Sequence, residues 1–321
     1  MQFDVFNGDA DGIFALHQLR LDRPISDAIL VTGVKRDINL LKKIQTDSPS
    51  AVTVLDISLD KNRKELQQFL SAGWRVVYID HHFAGSIPES DLLDHHIEPS
   101  AETCTSIIVN QLLQGRYPLW ASCGAFGDNL HEQAVKLAKE AGADDSQIAK
   151  LRETGELFNY NGYGAQLEDL HFHPADLFNS VSSYVNPLDF FEDTDIIPRL
   201  REGYLGDMDK TAGFKDISAK APNRIFSFPA ESWARRIAGV FSNLKARERK
   251  EAAHAIIVEN NDGTLQVSVR APLADKKNAD VLCRRFPTGG GRAAAAGINN
   301  LPSTMLDEFT EAFHTTYTNN S

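Results

Sequence analysis

The sequence predicts an α/β protein of two domains, a parallel sheet in the first and a smaller α/β domain after it. Three observations carry this. Short apolar runs alternate with helix-length segments through residues 1–80. The stretch 204–228 is rich in glycine and proline and lacks sustained periodicity. Beyond it, two apolar runs flank the turn Asn261-Asp262-Gly263. A length of 321 residues also suits two cores better than one.

Taken in order, residues 3–6 are a predicted strand that runs into the polar turn Asn7-Gly8-Asp9-Ala10-Asp11-Gly12. Residues 13–20 have a helical pattern, 28–31 read as a strand, and 38–45 as a helix. Residues 52–55 form a strand ending at Asp56, 61–72 a charge-laced helix, and 74–79 a strand ending at Asp80. Strands joined by helices imply right-handed crossovers and a doubly wound sheet, whose ligands gather at the carboxyl ends of the strands. Residues 104–184 are mainly helical. In the second domain, a helix at 232–249, strands at 254–259 and 265–270, and a helix at 279–286 precede a glycine loop and a last helix at 305–315. The expected division is 1–203, a linker at 204–228, and 229–321.

Composition excludes several classes. The net charge of −11 argues against long nucleic acids, which need a basic stripe to displace counterions. It allows a small anionic substrate, because local cations reverse the field within one site. No apolar stretch approaches the roughly 20 residues of a membrane span, and Met1-Gln2-Phe3-Asp4 has no secretory pattern. Cys104, Cys123 and Cys283 are scattered, without Cys-x-x-Cys spacing, which points to free thiols in a reducing, cytoplasmic setting.

The informative feature is where the carboxylates fall. Asp9 and Asp11 follow the first strand, Asp56 ends the next, and Asp80-His81-His82 ends a third. In a parallel sheet these three sets project from one edge. Each alone has an ordinary explanation: Asp-Ala-Asp-Gly is a common turn, an Asp after a strand caps the next helix, and paired histidines can bond each other in a core. Their joint occurrence is hard to attribute to caps. Like charges a few ångströms apart raise each other's pKa, and divalent cations resolve that conflict. Carboxylate with imidazole and no thiolate suits Mn²⁺ or Mg²⁺. A second Asp-His-His, Asp94-His95-His96, follows only the short apolar pair Leu92-Leu93, does not stand at a predicted strand end, and is expected to hold no metal.

Together with Asp128 in Cys123-Gly124-Ala125-Phe126-Gly127-Asp128-Asn129 and the glycines 289–291, these motifs resemble the DHH/DHHA1 phosphoesterase superfamily. The superfamily includes RecJ-like exonucleases, short-oligonucleotide and cyclic-dinucleotide phosphodiesterases, and manganese pyrophosphatases. The resemblance covers nearly the whole chain. It implies an N-terminal DHH domain, a DHHA1-like second domain, and an active site in the cleft between them. It implies two divalent cations, Mn²⁺ first and Mg²⁺ as the alternative. One would be held by Asp9 and Asp56 with Asn7 beside them, the other by Asp11, Asp56, His81 and Asp128. Asp80 would orient His81, and His82 would donate a hydrogen bond or proton to the scissile phosphate. Position 7 departs from many members, which have His there.

In the second domain, Gly289-Gly290-Gly291-Arg292 matches the superfamily's Gly-Gly-Gly-His substrate loop, with Arg292 in place of His. Consecutive glycines let backbone N–H groups converge on phosphate, and Arg292 can clamp it bidentately. Ser268 and Arg270 lie in Ser268-Val269-Arg270-Ala271, which resembles a Ser-x-Arg-Ser strand. The hydroxyl-rich segment 100–106 is either a helix start whose N–H groups face an anion or an ordinary capping box.

The expected function is Mn-dependent, two-metal hydrolysis of phosphodiester bonds in short oligonucleotides or linear dinucleotides by a hydroxide bridging the metals. No long duplex and no membrane is expected as a partner, and a homodimer is compatible with the sequence. The rivals are a phosphomonoesterase or pyrophosphatase with the same metals, and a catalytically weak nucleotide-binding regulator.

Overall fold

The computed structural model describes residues 1–46, 48–218 and 222–318. It divides into two compact units, Met1–Glu202 and Gly203–Ser321.

In the first unit, β1 (Gln2–Phe6), α1 (Ala10–Asp22), β2 (Ile29–Val31), β3 (Ala51–Leu55), α2 (Leu59–Ser71), β4 (Arg75–Asp80) and β5 (Leu93–Ile97) build one sheet and two of its crossovers. The sheet order is β2-β1-β3-β4-β5, and every pair is parallel. β1 and β3 bury four of their five residues in succession, as strands covered on both faces must. Phe3, Val52, Trp74 and Tyr78 lie in the core of this sheet. The strand order reverses between β1 and β3, which opens a crevice beyond their carboxyl ends.

Two expectations in this region change. Residues 38–45 form only a single 3₁₀ turn, Leu41–Lys43. The Asn62 side chain on α2 bonds Leu41 N–H and the Ile38 carbonyl, so it satisfies backbone groups that a helix would have paired internally. Asp94, His95 and His96 lie within β5 itself, an edge strand whose polar side chains leave no apolar run to read.

The helices that follow are α3 (Thr105–Leu112), α4 (Pro118–Gly127), α5 (His131–Glu140), α6 (Asp145–Gly162), α7 (Pro174–Val181), α8 (Pro187–Asp193) and α9 (Ile196–Thr211). α1 is buried from Ala10 to Gln18, with Phe14 packed between Trp120 of α4 and Phe158 of α6.

The second unit contains β6 (Arg224–Phe228), α10 (Ser232–Glu248), β7 (His254–Glu259), β8 (Leu265–Arg270), α11 (Ala279–Cys283), β9 (Gly289–Gly291), β10 (Ala295–Leu301) and α12 (Leu306–Thr318). Its sheet order is β6-β7-β8-β10-β9, with β6 and β7 parallel and the other pairs antiparallel. Segment 204–228 is therefore not simply a linker. α9 continues through the unit boundary to Thr211, and β6 is a buried strand of the second sheet, parallel to β7. The expected glycine loop is β9, an edge strand paired with β10. A run of glycines gives no strand signal, and the pairing partner, not propensity, creates this one.

Candidate metal centre

The turn after β1 delivers two carboxylates in different directions. Asp9 caps α1, its Oδ1 accepting from Gly12 N–H at 3.1 Å. Asp11, in the first turn of the same helix, points at the start of α3. Its Oδ2 accepts from Thr105 N–H at 2.7 Å and its Oδ1 from Ser106 N–H at 2.8 Å. The hydroxyl-rich helix start thus faces an anion that belongs to the chain itself. No capping box forms there, because the Cys104 side chain at the N-cap makes no capping bond. Close packing holds this arrangement: a Cβ on Gly124 of α4 would stand 2.2 Å from Ser106 Oγ and 3.2 Å from Asp11 Oδ1.

Asp56 leaves β3 with a φ of 58°, a left-handed conformation that costs energy for a residue with a Cβ, though Asp tolerates it better than most. Its Oδ1 accepts from Thr105 Oγ1 at 3.2 Å and lies 3.4 Å from His81 Nε2. His81 Nδ1 is 3.1 Å from the Thr103 carbonyl, which can only accept. The proton is therefore assigned to Nδ1, and the Nε2 lone pair faces Asp56 and Asp128, the latter at 3.5 Å. Ligand atoms of Asp11, His81 and Asp128 lie within 4.8 Å of one another, as do those of Asp56, His81 and His82.

One expected role is corrected. Asp80 does not orient His81. Its Oδ1 accepts from His82 Nδ1 at 2.7 Å, while the Thr103 carbonyl orients His81. Alternation along the strand end puts Asp80 and His82 on one side and His81 on the other.

The first expected metal position is differently furnished. Asp9 Oδ2 lies 2.5 Å from Lys35 Nζ, which also donates to Asn159 Oδ1 at 2.8 Å. Asn7 Nδ2 donates to the Lys35 carbonyl at 3.1 Å, and the buried Asn7 Oδ1 has no hydrogen-bond partner among the described residues.

Electrostatics indicate that the cluster suits added cations. Burial raises the Asp11 pKa, and nearby Asp128 and Asp9 push it the same way against His81. Burial, then Asp11 and Asp9, push Asp56 well above the ordinary carboxylate range. Burial works against the charge on Lys35, but Asp9, Tyr163 and Asp128 together outweigh it and the ammonium holds its proton. Burial likewise opposes protonation of His82, yet the bond to Asp80 and its charge carry the pKa above the usual value. The Cys104 thiol is pushed up by burial and then by Asp11, so it stays neutral. The crowded carboxylates of Asp11, Asp56 and Asp128 with the available imidazole nitrogen of His81 fit a hard divalent ion.

In the second unit, Ser268 and Arg270 lie on β8, and Gly289, Gly290 and Gly291 on β9. Arg270 Nε donates to Asn243 Oδ1 at 2.7 Å. Arg292 is exposed, its N–H donating to the Ala295 carbonyl at the turn into β10. Asp94 and His96 pair with each other at 3.1 Å on β5.

Sequence reasoning missed Lys35 and Asn159, and it named Thr103 and Thr105 only as part of the hydroxyl-rich segment 100–106, without their bonds to His81 and Asp56. The position of Lys35, shortly after parallel strand β2, was a usable signal, since the carboxyl end of that strand shares the edge of β1. Thr103 and Asn159 act from loop and helix positions that no spacing marks. Among the described residues, no helix is long and apolar enough to cross a membrane.

No protein-family model and no curated protein matches the chain. Solved structures do. The DHH domain of a member of the s1p family of ribosomal proteins aligns at a TM-score of 0.69 and 15% identity, over 98% of this chain and 86% of that one. Exonuclease RecJ bound to manganese aligns at 0.60 and 14%, over 100% and 91%. A pGpG-specific phosphodiesterase from Vibrio cholerae aligns at 0.52 and 12%, over 100% and 99%. With a parallel sheet that collects Asp9, Asp11, Asp56 and Asp80 at one edge, the chain carries the fold of these DHH-domain proteins.

Proposed function

We propose that the protein is a metal-dependent phosphoesterase that hydrolyses phosphodiester bonds of short oligonucleotides or linear dinucleotides, with Mn²⁺ as its preferred ion. One observation carries the reading: Asp11, His81 and Asp128 bring ligand atoms within 4.8 Å of one another, and Asp56 stands beside them at a strand end. Two fold neighbours, described as an exonuclease bound to manganese and a pGpG-specific phosphodiesterase, point to the same chemistry.

A divalent ion held by Asp11, His81 and Asp128 would supply Lewis-acid stabilisation of phosphoryl charge and lower the pKa of a bound water. The chain's own residues do the rest. The N-terminus of α3 fixes Asp11 through two backbone N–H groups, so this ligand does not reorganise. His82 is 40% exposed, its Nδ1 engaged by Asp80, leaving Nε2 to hold a proton for the leaving oxygen. Ser268, Arg270, the backbone of Gly289, Gly290 and Gly291, and Arg292 are proposed to bind substrate phosphate. The net charge of −11 favours short substrates over long strands.

The test is a single assay with MnCl₂ and a ladder of oligonucleotides, a linear dinucleotide, a 3′,5′-bisphosphorylated nucleoside and inorganic pyrophosphate. Dinucleotide turnover above all others is expected. Faster turnover of long strands ends the short-substrate reading, and no product from any of them ends the phosphoesterase reading.

A further inference from the structure

Three acceptors from three different elements converge on one ammonium. Lys35 Nζ lies 2.5 Å from Asp9 Oδ2 at the start of α1, 2.8 Å from Asn159 Oδ1 on α6, and 3.5 Å from Asp128 Oδ1 after α4. An ammonium has three N–H donors and no acceptor, so the site matches it donor for donor. The backbone is pinned too. Lys35 N–H donates to the Gly162 carbonyl at 2.8 Å, and its own carbonyl accepts from Asn7 Nδ2 at 3.1 Å. This is a built position, not a surface lysine folded inward by chance.

Its consequence falls on the donors of the first metal position. Asp9 has one oxygen on Gly12 N–H and the other on Lys35. Asn7 offers a neutral amide oxygen, and Asp56 is already drawn toward His81 and Thr105. A divalent ion there would have one neutral ligand and a share of two committed carboxylates, with an ammonium against it. The second position keeps Asp11, His81 and Asp128 as one group, with Asp56 Oδ1 3.4 Å from His81 Nε2. Asp11 is bonded there by neutral backbone N–H groups that leave its charge unpaired, and Asp128 is 3.5 Å from the ammonium where Asp9 is at 2.5 Å.

We infer that the Lys35 ammonium takes the place of the first metal ion, so that the centre binds one divalent cation beside a covalently fixed positive charge. This rests on the metal-dependent reading above. It gives that reading a stoichiometry, and it turns Asp9 from a metal ligand into the counter-ion of a lysine.

The experiment is metal counting on the full chain. Protein stripped with EDTA, dialysed against MnCl₂ and then passed through a desalting column is assayed for manganese by mass spectrometry and for spin coupling by electron paramagnetic resonance. One Mn²⁺ per chain with the spectrum of an isolated ion is expected for the wild type and for Lys35→Arg. Lys35→Met frees Asp9 and is expected to bind two, with a coupled spectrum. Two ions in the wild type, or one ion in a folded Lys35→Met, overturns the inference and leaves the metal-dependent reading standing. No ion in either protein overturns both. Should Lys35→Met not fold, Asp9→Asn decides: it still caps α1, retention of the single ion supports the inference, and its loss refutes it.

Discussion

His82 Nδ1 lies 2.7 Å from Asp80 Oδ1, and Asp80 is fully buried at the end of β4 while the His82 ring is partly open to solvent. A buried carboxylate behind a half-exposed imidazole favours the charged ring and fixes which nitrogen faces outward. Removing the carboxylate's charge must lower the His82 pKa. Asp80→Asn is therefore expected to move the alkaline limb of the rate profile to lower pH and reduce kcat/KM by about 10–100-fold, with manganese content unchanged. His82→Ala is expected to lose roughly 10²–10⁴-fold. A pH–rate profile of both variants checks this, and an unshifted limb in Asp80→Asn counts against His82 as the proton donor.

The packing of α4 on α3 should tolerate no added methyl. In Gly124→Ala the new Cβ meets Ser106 Oγ at 2.2 Å and the Ser106 Cβ at 2.5 Å. Overpacking of this kind costs about 1–3 kcal/mol, a fall in Tm of roughly 2–4 °C per kcal/mol for a unit of this size. The double variant with Ser106→Gly removes both colliding atoms and is expected to recover part of the loss. Thermal melts of the three proteins give the comparison.

Metal removal should be felt in proportion to pH. Folded Asp11 and Asp56 have raised pKa values, burial being the largest cause for each, so the metal-free fold retains protons that the unfolded chain has lost. Their contribution is full at low pH and disappears as pH rises through the folded values. A bound cation reverses this by competing with those protons. The Tm difference between Mn²⁺-loaded and EDTA-treated protein is expected to widen from pH 5 to pH 8. A difference that is flat or narrows speaks against these carboxylates as the ligands.

His17 gives a slope of opposite sign that does not depend on metal. Its Nε2 lies 2.9 Å from the Tyr184 carbonyl and its ring packs edge-on against Trp120. Burial lowers its pKa from 6.5 to about 4, against the bond to Tyr184. The unfolded chain takes up the proton first, so stability is full above 6.5 and is lost as pH falls from there toward about 4. The loss is on the order of 3 kcal/mol at most. His17→Gln, which can still donate to Tyr184, is expected to flatten the urea-unfolding midpoint across that window.

Much of this molecule could be read without coordinates. Apolar strands ending in Asp56 and Asp80, and a strand running into Asp9 and Asp11, place carboxylates at one sheet edge because a parallel sheet aligns its strand ends. The hairpin at Asn261-Asp262-Gly263 followed from Gly263, whose φ of 80° a side chain would resist. These features depend on neighbours in sequence, where period and turn chemistry act.

What the sequence could not settle was who partners whom across long separations. Asp11 binds the N-terminus of a helix 94 residues away, Lys35 reaches Asn159, and Asp80 serves His82 instead of His81. Asn62 replaces a helix with a turn, and three glycines become a strand because β10 lies beside them. The sequence alone determined where strands and their charged ends fall, since backbone geometry repeats locally. Tertiary structure decided how each buried charge is satisfied, since that depends on which donors packing brings within about 3 Å.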